Sequence, residues 1–262
     1  MKKTAITILS LAMLMVVNIS YAQDFKYDVK QSAQVFIKGL SGGVQVEETT
    51  GTQLVIEAKN FEKRPARADG LKPIYGNGAS DNTNLGLEVK TEDNIIVVSP
   101  ASKQSEDAKY IFKVPKGVNV KVDYRSPYAD YDLVVKNFSS EFEADIMNPG
   151  IQLENVTGPI VLNVTNGDVN IVFGTINQSS PIDIVAINGI IDVTVPQNTP
   201  ANLMMSTING EVFTNFDIDF EKKDKKGLSY IGGGSKINGK INGGGVDIKL
   251  KTINNNIYLR KK

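Results

Sequence analysis

The stretch Asn166-Gly167-Asp168-Val169-Asn170-Ile171-Val172-Phe173 returns in outline as Asn188-Gly189-Ile190-Ile191-Asp192-Val193-Thr194-Val195. A third Asn-Gly pair, Asn209-Gly210, follows, so successive pairs stand 22 and 21 residues apart. Counted from each Gly, positions +2, +4 and +6 are Val169, Ile171 and Phe173, then Ile191, Val193 and Val195, then Val212, Thr214 and Phe216. Upstream, at −3 and −5, stand Val164 and Leu162, Ala186 and Ile184, Thr207 and Met205. The same alternation follows Gly42 (Val44, Val46), Gly244 (Val246, Ile248, Leu250) and Asn255, which occupies the Gly position (Ile257, Leu259). A period of two buries every second side chain and turns Asn170, Asp192 and Thr194 outward, so each unit reads as strand, turn, strand. Asn-Gly is expected to supply the positive φ of a tight turn.

A unit of about 20 residues cannot bury its apolar face alone. Stacking successive units solves this, because each strand then pairs with its equivalent in the next rung and the inward residues form a continuous column. The predicted fold is all-β, a repetitive β-solenoid resembling a parallel β-helix. Plain antiparallel hairpins in a meander or sandwich are the alternative that Asn-Gly turns also permit. After residue 22 no stretch carries a capped 3.6-residue apolar period, so helix is expected to be scarce.

Three regions are predicted. Residues 1–22 read as a signal peptide: Met1-Lys2-Lys3, an apolar run from Ala5 to Val17, then Ser20-Tyr21-Ala22 with small residues at −3 and −1 of a cut after Ala22. The run is shorter than the roughly 20 residues a spanning helix needs, so no stable membrane anchor is expected after cleavage. Residues 23–113 form a less regular β region, with strand-like runs at 34–40, 43–47, 54–58, 85–90 and 94–99 and polar loops at 60–84 and 101–109. Residues 114–262 carry the regular repeat, interrupted by a charged loop over 215–234.

Composition excludes several classes of function. Without Lys2 and Lys3, 27 basic residues face 29 acidic ones, with signs interspersed, so no nucleic-acid partner is implied. The run Lys222-Lys223-Asp224-Lys225-Lys226 reads as a solvated turn. There is no Cys, His or Trp. Disulfides, thiolate metal sites, a lipidated Cys, the commonest general base and the favoured sugar-stacking indole are therefore absent. No cofactor and no metal are expected.

Three features carry a resemblance: Val114-Pro115-Lys116-Gly117-Val118, the recurrent Thr/Ile-Asn-Gly turns, and the closing run from Lys236 through Asn242-Gly243-Gly244-Gly245-Val246-Asp247-Ile248 to Ile257-Tyr258-Leu259. In their order and spacing the chain is similar to the repetitive β proteins of bacteria, common in Bacteroidetes, that are labelled putative adhesins. The likeness covers most of the chain after residue 22. It implies a β-solenoid and a role at the cell envelope, and it brings no catalytic residues.

Candidate chemistry is sparse. Asp217-x-Asp219 would set two carboxylates on one strand face, as a carbohydrate-active β-helix enzyme would use, but alternation alone produces such pairs on a polar outer face. Asp183 and Asp192 are expected to be solvated. Gly243-Gly244-Gly245-Val246-Asp247 partly matches a calcium-binding repeat, yet a Gly-rich turn needs no ion. The candidate ligand-binding residues are Tyr124, Tyr128 and Tyr131, whose rings and flanking charges could form a stacking surface for a sugar or peptide. Alternatively these tyrosines, with Phe138 and Phe142, cover the junction between the N-terminal strands and the repeats.

The expected function is an exported, non-catalytic envelope protein, located in the periplasm or at the cell surface, whose repetitive β surface binds a protein or glycan. A carbohydrate-active enzyme and a periplasmic accessory or sensing protein are the alternatives.

Overall fold

A computed structural model describes residues 23–30, 32–61, 65–71, 73–76, 78–220 and 235–262. The signal peptide with its cut after Ala22, and the basic run at 222–226, lie outside the described residues.

Short runs of alternating β-branched residues, cut by Gly, Pro and Asn, give strands almost throughout. The first group is β1 (Gln23–Asp28), β2 (Gln34–Lys38), β3 (Gly43–Thr49), β4 (Gln53–Lys59), β5 (Leu87–Glu92), β6 (Ile95–Pro100) and β7 (Lys109–Pro115). Next come β8 (Asn119–Tyr124), β9 (Leu133–Lys136), β10 (Phe142–Ile146), β11 (Ile151–Val156), β12 (Ile160–Val164), β13 (Val169–Phe173), β14 (Ile182–Ala186) and β15 (Ile191–Val195). The last group is β16 (Ala201–Thr207), β17 (Val212–Thr214), β18 (Asp219–Phe220), β19 (Ser235–Ile241), β20 (Val246–Lys251) and β21 (Ile257–Lys261). Helix among the described residues is confined to two 3₁₀ turns, Ala66–Ala68 and Lys103–Ser105.

The strands form two mixed sheets, and neither closes into a barrel. One has ten strands in the order β1-β4-β7-β3-β9-β11-β13-β15-β21-β17; the other has eleven, β18-β19-β16-β20-β14-β12-β10-β8-β2-β6-β5. From β8 to β17 the chain alternates between sheets at every step. An Asn-Gly pair is therefore a corner from one sheet to the other, and the strands on its two sides do not pair as a hairpin. Pairing through this middle region is parallel and in register, for example Gln152 with Asn170 and Asn170 with Asp192.

The corner glycines correct one expectation. Gly167, Gly189 and Gly210 are absent from the residues with positive φ. Their requirement is space: a Cβ on Gly189 would lie 1.8 Å from the Gly167 carbonyl oxygen, and one on Gly167 would lie 2.0 Å from that of Pro149. These corners stack so closely that a side chain at Gly167 or Gly189 has no room.

Alternation puts unbroken apolar columns between the sheets. One runs Ile96–Val35–Val120–Phe142–Ile160–Ile182–Ile248–Leu203, another Ile56–Phe112–Val46–Val135–Leu153–Ile171–Val193–Leu259. All of these side chains are buried. Each contributes roughly 1.5–3 kcal/mol by burial. One core cluster extends from Val29 to Leu259, and β7 runs straight through position 113/114, where the sequence changes character.

Strand order departs from chain order at both ends. Rung β2/β3 sits between β6/β7 and β8/β9, and rung β20/β21 sits between β14/β15 and β16/β17. The second case has a visible route. Part of the segment expected to be a charged loop forms the edge strand β18, which pairs antiparallel with β19, and β19 in turn runs antiparallel along the outer side of β16. Asn242 then turns the chain round the end of β16, its Nδ2 donating to the carbonyls of Gln197 and Thr199. Asn242, Gly243 and Gly244 take φ of 50, 85 and 85°, which glycine and asparagine tolerate. The chain enters the inner side of β16 as β20.

Candidate functional site

The loop from β8 to β9, residues 125–132, is held at both ends. At its start Tyr124 is fully buried and its hydroxyl donates to the carbonyl of Gly42 at 2.7 Å. Burial first, and then the carboxylates of Asp130 and Asp132, push this phenol above its usual range. Arg125 donates through Nε and Nη2 to the two oxygens of Asp123 at 2.7 and 2.6 Å, which holds that carboxyl below the usual carboxylate range. At the far end Asp132 accepts from the Gly150 backbone N–H at 2.9 Å and from Gln152 Nε2 at 2.8 Å. Buried Ala129 pins the middle, its N–H donating to Ser126 O.

This pinning separates the three tyrosines. Tyr124 is interior, offers no ring to a ligand and closes the junction between the N-terminal strands and the repeats. Tyr128 is 81% exposed and Tyr131 40%. Phe138 and Phe142 are buried with their rings edge to face, 6.1 Å apart.

Tyr128 and Tyr131 border different clefts. Tyr131 packs over Gly43, and Lys109 Nζ lies 4.4 Å from its ring centroid. It lines a cleft of about 480 Å³ together with Gln45, Lys59, Lys109, Asp130 and Asp132. Tyr128 borders a second cleft, of about 500 Å³, with Ile74, Tyr75, Ser102, Lys103 and Ser126. Both fall within the size range of small-ligand sites, and the first has walls built on paired strands and the pinned loop.

The other candidates are placed as follows. Asp217 is fully exposed, with Lys261 Nζ at 3.7 Å, and Asp219 lies on the exposed two-residue strand β18. Asp192 receives a bidentate bond from Arg260, both contacts at 2.8 Å, and Asp183 lies 3.9 Å from Lys249. Asp247 accepts from Asn202 Nδ2 at 2.9 Å, and that amide also reaches the Gly245 carbonyl at 2.7 Å. Among the described residues no group of three or more His, Cys, Asp or Glu could hold a metal ion.

One aromatic feature escaped the sequence reading. Phe213 on β17 stacks on Tyr258 of β21, centroids 5.2 Å apart and planes 12° apart, with the Arg260 guanidinium 5.2 Å from the Tyr258 ring. Phe213 and Tyr258 are 45 residues apart and become neighbours only because β21 pairs with β17. No local signal announces that.

No family model matches the chain, and no curated protein matches it. Two solved structures are similar. One is a putative cell adhesion protein from Clostridium sporogenes, 10% identical, covering 92% of this chain and 100% of its own, with a TM-score of 0.45. The other is a putative adhesin from Bacteroides fragilis, 11% identical, covering 91% of this chain and 96% of its own, with a TM-score of 0.35. Likenesses at this level assign no function. No helix of the described residues is long and apolar enough to cross a membrane.

Proposed function

We propose that this chain is an exported, non-catalytic binding protein of the bacterial envelope, folded as a two-sheet β-solenoid, that holds a glycan or a protein against the β8–β9 loop. The observation that carries this reading is the pinned loop itself. Its two ends are fixed by Tyr124 and Asp132, and between them it presents the exposed rings of Tyr128 and Tyr131 over clefts beside the strands. Rigid aromatic groups at a concave surface bury area on binding at little entropic cost.

The test is retention of the chain from Gln23 to Lys262 on insoluble envelope polysaccharide and on intact cells, compared with a Tyr128→Ala/Tyr131→Ala double variant. Retention of the parent and loss in the variant are expected. If the variant is retained equally, the loop is not the site; if the parent is not retained at all, the binding role fails. Polysaccharide turnover abolished by Asp217→Asn would overturn the non-catalytic part. Protease shaving of intact cells, followed by mass spectrometry of loop peptides from 60–84, separates a surface location from a periplasmic one.

A further inference from the structure

We infer that the Tyr131 cleft is a site for an acidic saccharide, with a hexuronate carboxylate seated between Lys59 and Lys109 and a sugar ring against Tyr131. This deepens the binding role proposed above and rests on it. Lys59 and Lys109 are direct partners in the antiparallel register of β4 and β7. Like charges placed directly opposite across a strand pair repel. Both residues are exposed, and among the described residues neither forms an ion pair.

The cleft also contains two carboxylates, Asp130 and Asp132. Asp132 is occupied by the Gly150 N–H and by Gln152. Asp130 is exposed in the loop and makes no hydrogen bond or ion pair to the described residues. Lys59 and Lys109 both line the cleft on its strand wall. An anion placed between them relieves their repulsion and gains charge-assisted hydrogen bonds. Lys109 already lies over Tyr131, so a carboxylate at Lys109 brings its sugar ring to that aromatic side chain. Gln45, on the same wall, supplies an amide to a ring hydroxyl. A volume of about 480 Å³ accommodates more than one sugar unit.

The test is isothermal titration calorimetry of the chain from Gln23 to Lys262 with trigalacturonate and with the neutral trisaccharide cellotriose. Trigalacturonate is expected to bind, more weakly as salt is raised, and cellotriose to bind at least tenfold less tightly. Lys59→Gln and Lys109→Gln, both at exposed positions, should each weaken trigalacturonate roughly tenfold, the worth of one charge-assisted hydrogen bond. Tyr131→Ala should weaken both ligands. Equal binding of the two trisaccharides, unchanged in the lysine variants, overturns the acidic assignment and leaves a glycan-binding role standing. No binding of either trisaccharide also overturns it. The envelope-retention experiment then decides separately whether the wider role survives.

Discussion

Asn254 donates its side-chain amide to the side-chain oxygen Oδ1 of Asn188 at 2.6 Å, although 66 residues separate them in the chain. The contact is one link of a ladder: Asn209 donates to Asn254, Asn188 to Asn166 and Asn166 to Asn148, at 2.8, 2.9 and 3.0 Å. The corner asparagines, those of the three Asn-Gly pairs together with Asn148 and Asn254, thus bond to one another from strand pair to strand pair, and the late corner containing Asn254 takes its place within the series. Asn188→Ala deprives Asn166 of a donor and Asn254 of an acceptor. Because the ladder is exposed, water can replace both partners, and the expected loss is about 0.5–1.5 kcal/mol. Chemical denaturation measures it. A loss above about 3 kcal/mol would mean that the ladder fixes rung register rather than adding its own bonds.

Two kinds of glycine should respond differently to substitution. At Gly189 a Cβ meets the Gly167 carbonyl oxygen at 1.8 Å, whereas at Gly117 nothing lies within 4 Å but φ is +85°. Gly189→Ala and Gly189→Asn should both cost at least the upper end of the 1–3 kcal/mol typical of overpacking. Gly117→Ala should cost roughly 1–2 kcal/mol, and Gly117→Asn less, since asparagine tolerates the left-handed region. Thermal unfolding of the four variants checks this. Rescue of Gly189 by asparagine would contradict the close-approach explanation.

The alternation that places Val169, Ile171, Phe173, Ile191, Val193 and Val195 in the core was legible because burial on a strand follows a period of two, a purely local property. The same pattern fails in part at Val212 and Thr214, which are half-buried and exposed, because β17 is the last strand of its sheet. What the Asn-Gly pairs do is not legible in the sequence, since a short motif cannot distinguish a demand on φ from a demand on space. Rung order was illegible for a related reason. Nothing in Val246–Lys251 specifies that it fits between β14 and β16; that depends on β19 already occupying the other side of β16. At the candidate site the sequence marked Tyr124, Tyr128 and Tyr131 together, but their division into one buried and two exposed rings follows from the Gly42 and Gly150 contacts of distant strands.

Alkaline pH should destabilise the fold through two tyrosines. Tyr110, whose hydroxyl donates to the Leu85 carbonyl at 2.7 Å, and Tyr124 are both buried. Burial is the main cause raising each phenol, with Asp81 adding for Tyr110 and Asp130 and Asp132 for Tyr124. A folded-state pKa above the unfolded value of about 10 means the stability is intact below about pH 10 and is lost as pH rises from there through the folded pKa. Denaturation midpoints measured from pH 8 upward should fall beyond pH 10, and Tyr124→Phe should flatten that fall while losing about 1 kcal/mol at neutral pH. An unchanged alkaline slope in Tyr124→Phe would remove Tyr124 from this account.

The intercalated rung makes a prediction about local stability. β20 and β21 come after all the other described strands in sequence yet lie inside their sheets. Here β20 is paired on both sides, to β14 and β16, and β21 to β15 and β17, with Ile248, Leu250, Ile257 and Leu259 buried. Opening them would require breaking two ladders in each sheet and would expose both apolar columns. Their amides should therefore exchange only through near-global unfolding. The edge strands β1, β5, β17 and β18, each paired on one side, should exchange through smaller openings. Native-state hydrogen exchange read by mass spectrometry tests this directly. Protection over 246–251 and 257–261 should match that over 182–186 and exceed that over 212–214. Exchange of 257–261 at the rate of the edge strands would mean that the rung docks after the rest has folded and opens independently of it.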